Sequence, residues 1–302
     1  MSYYTERHGM RQPMDKTYII TPDMYAILFD CCGRYHKNIA WKYPEECGDG
    51  YGCCGLDWTK FNSALKFEIP GMYRNPRGQI DSPPVNSFDD LQEYDQFALL
   101  DYIELIAQNC KDVECVDYHK FYKHYHLRFK NTRWVYSAFQ SEINDIFTKT
   151  GLLYKLTADG IIERIVENSP LSPEIEKNIS QILEDGVRNL LQEAVKLFKQ
   201  PYPESHRNAV EKIWDAFERL KTYYADIDKK ASAARIVNDI GSGQADFVIL
   251  FDQEFKTLTQ IGNQYRIRHH ETNKIDITDT WHYDYLFNRC LSLICLAIQY
   301  LN

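Results

Sequence analysis

The stretch Ser205-His206-Arg207-Asn208-Ala209-Val210-Glu211-Lys212-Ile213-Trp214-Asp215-Ala216-Phe217-Glu218-Arg219-Leu220 decides the fold. Val210, Ile213, Trp214, Phe217 and Leu220 recur at spacings of three and four, which places them on one side of a helix. Arg207, Glu211, Asp215 and Arg219 follow one another at i,i+4 on another side, and the opposite-sign pairs Arg207–Glu211 and Asp215–Arg219 support the same helix. Working outward, the pattern repeats. A long helix is predicted from Ser172 or Pro173 to about Lys199, ended by Pro201 and Pro203, which deprive a helix interior of a donor. Ser232–Ile240 reads as a shorter helix closed by Gly241-Ser242-Gly243. Phe247–Tyr265 and a last helix from Tyr283 to Leu301 complete the set. Residues 173–302 are therefore expected to form an all-helical bundle of four or five helices.

The first half, residues 1–168, reads as a second, α-rich domain carrying a small β-hairpin, so the chain as a whole is mainly α. Thr21-Pro22-Asp23 has the composition of a helix start, with proline near the first helical position. Helices are predicted over Met24–Cys32, Leu91–Ile106 and Trp134–Thr150, the last closed by Gly151. Phe61–Phe67 forms a short amphipathic segment. Ala158-Asp159-Gly160 between apolar arms is a hairpin signal and sets strands within 152–166. Residues 71–90, rich in Pro, Gly, Asn, Asp and Ser, read as a surface loop. Ser169-Pro170-Leu171-Ser172-Pro173 is the expected boundary between the two domains.

With 302 residues, 44% hydrophobic content and a net charge of −8, the composition is that of a globular protein. The acidic balance argues against indiscriminate coating of nucleic acid, which wants a basic surface. Met1–Gln12 is polar and lacks the features of a signal peptide. Tyr283–Leu301 is interrupted by Asp284, Asn288, Arg289 and Gln299, so it reads as a buried helix rather than a membrane span. Nine cysteines without a secretory signal imply a reducing compartment; the expectation is a cytoplasmic protein that does not engage a membrane.

Three stretches carry possible chemistry. Arg266-Ile267-Arg268-His269-His270-Glu271 concentrates proton-active and cationic groups between two apolar helices. His titrates near neutrality and suits proton transfer; Arg gives a planar clamp for phosphate. His270 is the candidate acid or base, with His269 beside it and Arg266 or Arg268 on phosphate. Arg207, Asn208, Glu211 and Glu271 are the supporting groups. The competing reading is structural: Arg and His at a helix end satisfy terminal carbonyls, and Glu211 is placed to pair with Arg268. The second stretch holds Cys31, Cys32, His36, Cys47, Cys53 and Cys54 among glycines. Thiolates and imidazole bind zinc, but the stretch has no Cys-x-x-Cys knuckle, so the expectation is buried thiols and no cofactor, with zinc as the alternative. In the third, Tyr118–Arg128, His119, His124 and His126 alternate with Lys120, Lys123 and aromatics. It is expected to be a solvated helix face, the alternative being a surface that stacks on bases.

Several of these residues match a known group. Tyr4-Thr5-Glu6-Arg7-His8-Gly9, Leu100-Asp101-Tyr102-Ile103-Glu104, the hairpin from Leu153 to Ile165, His206-Arg207-Asn208-Ala209-Val210-Glu211-Lys212, Ile267-Arg268-His269-His270 and the last helix with Cys290 resemble AbiJ-type abortive-infection proteins of bacteria. The resemblance implies a phage-defence role and a C-terminal domain similar to HEPN domains, many of which cut RNA as metal-independent ribonuclease dimers. It implies RNA or tRNA as substrate or ligand, a homodimer, and a further defence-system protein as partner. The sequence departs from the HEPN nuclease pattern, because only three residues separate Arg266 from His270, a shorter spacing than the family's. The alternative is a non-catalytic sensor, or a module for dimerisation or for RNA or nucleotide binding.

Overall fold

A computed structural model describes residues 4–10, 14–84, 93–166, 169–267 and 274–301. The chain is mainly α-helical. It divides into two compact units, Met1–Ile165 and Val166–Asn302.

In the first unit a short helix α1 (Tyr4–Arg7) precedes α2 (Pro22–Gly33), whose start is fixed by the Thr21 hydroxyl accepting from the Met24 N–H. Helices α3 (Trp58–Glu68) and α4 (Gln96–Asn109) are capped by Asp57 and Asp95. Helix α5 (Trp134–Thr150) ends at Gly151, which adopts φ +76°, the left-handed geometry that glycine meets without strain. The core between these helices is rich in aromatics: Tyr25, Tyr102, Phe139 and Phe147 are wholly or almost wholly buried. Glu142 of α5 gathers three donors at its edge, the Arg34 guanidinium, the Tyr35 hydroxyl at 2.8 Å and the Cys31 thiol at 3.6 Å.

The expected small hairpin is present as a late pair of strands, Tyr154–Leu156 and Ile162–Arg164. The unit also contains a four-stranded antiparallel sheet that the sequence reading did not foresee. Its strands are β1 (Pro44–Glu46), β2 (Cys53–Leu56), β3 (Asp112–His119) and β4 (His124–Lys130), in the order β1-β2-β4-β3; the late hairpin supplies β5 and β6. Tyr118–Arg128, expected as a helix face, is instead the tip and return strand of the β3–β4 hairpin. β4 alternates, with His124, His126, Arg128 and Lys130 against Tyr125, Leu127 and Phe129, whereas β3 loses its alternation at the register shift between Val116 and Tyr118. The strand period is therefore present in β4 and interrupted in its partner.

The second unit is helical throughout its described residues: α6 (Pro173–Ser180), α7 (Asp185–Phe198), α8 (Pro203–Leu220), α9 (Lys229–Gly241), α10 (Ala245–Gln264) and α11 (Thr280–Leu301). The single long helix expected from Ser172 to Lys199 is two. Glu184 breaks it: its carboxylate caps α7 by accepting from the Val187 N–H and also receives the Arg219 guanidinium at 2.7 Å. A Cβ at Gly186 would lie 1.9 Å from Arg219 Nε, so the guanidinium in this position rests over a residue without a side chain. Pro203, expected as a breaker, occupies the first turn of α8, where its missing N–H costs nothing. The apolar face of α8 lies in the core, whereas Leu183, Phe247 and Leu250, expected to face inward, are exposed; Trp214 is fully buried with its Nε1 donating to the Leu258 carbonyl at 3.2 Å, and Phe198 stacks on Phe287 at 3.8 Å. Among the described residues no helix is long and apolar enough to cross a membrane.

Candidate functional site

The Arg266–Glu271 segment begins where α10 ends. Tyr265 forms a parallel bridge to Ile275, and the Arg266 N–H donates to the Ile275 carbonyl at 2.9 Å. Ile267 is buried in the core at 1% exposure, so the first two residues are anchored rather than displayed. Arg266 Nη1 pairs with Asp276 Oδ1 at 2.8 Å, while its Nε is buried without a hydrogen-bond partner among the described residues. Arg268, His269, His270 and Glu271 lie outside the described residues.

The facing residues come from α8 and α11. Arg207, Asn208 and Glu211 are half-buried on α8. The Tyr283 hydroxyl donates to the Ile277 carbonyl at 3.0 Å, and burial raises its pKa, with Arg207 opposing the shift and Asp276 reinforcing it. Arg207 and the Arg266-bound Asp276 are thus felt by the same hydroxyl. Beneath them His206 Nδ1 lies 3.3 Å from Asp284 Oδ1, both residues about 95% buried. The sequence reading did not single out this pair for chemistry. Its signal was Asp284 itself, a carboxylate inside an apolar helical run.

The cysteine-rich stretch resolves differently from its sequence appearance. Cys31 and Cys32 are wholly buried in the core, and burial drives both thiols up, that of Cys31 to about 12. His36 packs edge-on to Trp58 and Phe61 and bonds the Tyr102 hydroxyl; burial lowers its pKa to about 4, so it is neutral at pH 7. Cys53 and Cys54 sit on β2 and contact the carbonyls of Gly55 and Glu45 at 3.3 and 3.4 Å. These five do not converge.

Cys47 alone among the six joins a cluster of donors, and its companions are His119, His124 and His126. One side-chain donor atom from each of the four lies within 4.8 Å of all the others. Cys47 Sγ is 3.3 Å from His119 Nδ1 and 3.2 Å from His124 Nε2. Strand geometry assembles the set. His119 on β3 pairs directly with His124 on β4, and His126 follows two residues later, so the three imidazoles share one face. Cys47 stands just beyond β1 on a tight loop that closes by Cys47 N–H to Gly52 O at 3.0 Å and turns through Gly50 and Gly52 at φ +80°. A Cβ at Gly48 would lie 2.8 Å from the Tyr122 ring, and one at Gly52 3.3 Å from His126; both positions let the loop lie against the hairpin tip. The His-x-His spacing of 124 and 126 was the available signal, and it points to a shared site only once the segment is read as a strand.

Residues 2–181 match the family described as AbiJ N-terminal domain 4, and the chain belongs to that family. Membership points to a phage-defence role by abortive infection. Comparison with curated proteins and with solved structures finds no match.

Proposed function

We propose that this protein is a bacterial abortive-infection effector whose C-terminal helical unit acts on RNA as a metal-independent, HEPN-like ribonuclease. The family match carries the defence role. Chemistry at the α8/α11 corner supports the RNA reading. Arg207 and the segment that starts at Arg266 supply guanidinium groups suited to phosphate, and His269 and His270 continue that segment as the proton-transfer groups. The enzyme works as a homodimer through the α10–α11 face, where Phe247, Leu250 and Tyr285 are exposed beside the half-buried Phe251.

Incubation of the full chain with total RNA and tRNA, alongside plaque counts in bacteria expressing it, tests the reading. Cleavage and protection are expected in the wild type, and both should fall at least tenfold in His270→Ala with the helical circular dichroism retained. Undiminished cleavage in that variant removes His270 from the mechanism.

A second reading makes the helical unit a non-catalytic module for dimerisation or for RNA or nucleotide binding. The pairing of Arg266 with Asp276 favours it, because a guanidinium already neutralised by a carboxylate is a poorer phosphate clamp. Binding of RNA without cleavage at any protein concentration would select this reading.

A further inference from the structure

We propose that Cys47, His119, His124 and His126 form a structural zinc site that fastens the β1–β2 loop to the tip of the β3–β4 hairpin. The donor set is the first argument. Three imidazoles and one thiol bring their ligating atoms within 4.8 Å of one another. Neutral imidazole has one donor and one acceptor nitrogen, so each of the three rings can turn its lone pair into the cluster, where it meets the sulfur and the other two. A cation resolves this. His126 Nε2 makes the point directly: it is out of solvent and has no hydrogen-bond partner among the described residues.

The dimensions are the second argument. Zinc bonds of about 2.0–2.1 Å to nitrogen and about 2.3 Å to sulfur at tetrahedral angles put sulfur and nitrogen ligands roughly 3.6 Å apart. Cys47 Sγ stands 3.3 and 3.2 Å from its two nearest imidazole nitrogens, a separation that small adjustments of the side chains convert to that spacing. The ligand chemistry, nitrogen and sulfur with one thiolate, selects zinc over the oxygen-seeking magnesium and calcium ions.

The surroundings are the third argument. Asp49 Oδ2 lies 3.4 Å from His119 Nδ1, the nitrogen that also faces Cys47, and its other oxygen accepts from the Tyr51 N–H at 2.9 Å; a carboxylate fixed beside the donor set offsets the charge of an ion held there. Cys47 itself is 3% exposed. Four protein ligands complete a tetrahedron and leave no position for substrate, which makes the site structural. The site is independent of the ribonuclease reading, since it lies in the other unit.

The test is metal analysis of the full chain after dialysis against a weak chelator. About one zinc per chain is expected, falling below about one per five chains in Cys47→Ser and in His126→Ala. Cys54→Ser, a neighbouring thiol outside the cluster, should keep the full amount. Replacement by Co(II) should give a thiolate-to-cobalt charge-transfer band and the intense visible bands of a tetrahedral site with three nitrogen ligands and one sulfur, a readout on the wild type that does not depend on whether the variants fold. Less than one zinc per five wild-type chains after loading, an octahedral cobalt spectrum, or undiminished zinc in Cys47→Ser overturns the proposal. Preferential uptake of copper over zinc by the loaded chain would overturn the metal assignment.

Discussion

A set of paired side chains in the helical unit contrasts with the converging donors of the first. In the helical unit, buried and half-buried polar side chains meet ionisable partners: His206 faces Asp284, Lys221 meets Glu218, and Arg289 forms a two-pronged pair with Glu254 at 2.8 and 2.9 Å. In the first unit, Cys47 and three histidines converge with Asp49 as the one carboxylate in contact. Partners are matched two by two in one case and converge on a single point in the other. Paired charges hold helices in register; a converging set of lone pairs holds an ion.

The largest expected effect tests whether the helical unit rests on packing rather than on its ion pairs. Trp214→Ala removes a fully buried indole and its bond to Leu258, and should cost about 3–5 kcal/mol in urea unfolding followed by circular dichroism. Zinc content should be unchanged, and its loss would show that the two units do not stand apart.

A smaller effect belongs to His36. Its folded pKa, about 4, lies below the ordinary 6.5, so its contribution is intact above pH 6.5 and is lost as pH falls toward 4. Integrated between pH 7 and pH 5 the loss is about 2 kcal/mol. His36→Gln should flatten that part of the stability profile, and an unchanged slope would locate the acid sensitivity elsewhere. Glu142→Ala strips the buried Tyr35 hydroxyl of its acceptor and should cost about 1 kcal/mol in the same assay. Lys256→Ala breaks an exposed pair with Asp252 on α10 and should change stability by less than about 0.5 kcal/mol.

The helical unit was the more legible in sequence because its signals are local. The i,i+3 and i,i+4 recurrence of Val210, Ile213, Trp214, Phe217 and Leu220 sits within one helix, and those residues are the buried ones. The break between α6 and α7 escaped because the Glu184 cap is held by Arg219, which comes from another helix. The sheet escaped for the same reason on a larger scale: β2 meets β4 across more than seventy residues of chain, and nothing near Cys53 announces Leu127. Of the cysteine-rich candidates, Cys47 reaches the ligand cluster, and its companions come from a histidine segment that had been given a helical period. For the Arg266 segment, the anchoring of Ile267 in the core was implicit in its apolar side chain between two arginines. The role of Asp276 was not, because a pairing across a turn leaves no periodic trace.

The register of the β3–β4 hairpin has a kinetic consequence. Three of the four converging donors lie between residues 119 and 126 on strands that pair directly, and a hairpin of this kind closes in about 1–10 μs. Cys47 is 72 residues from His119, and closing so long a loop is the slow, entropically opposed step. The hairpin is thus poised to form first, with its imidazoles already gathered, and β1 and β2 to dock onto it afterwards. An ion held by the hairpin would be waiting for its thiolate, turning a search through open chain into capture by a prepared partner.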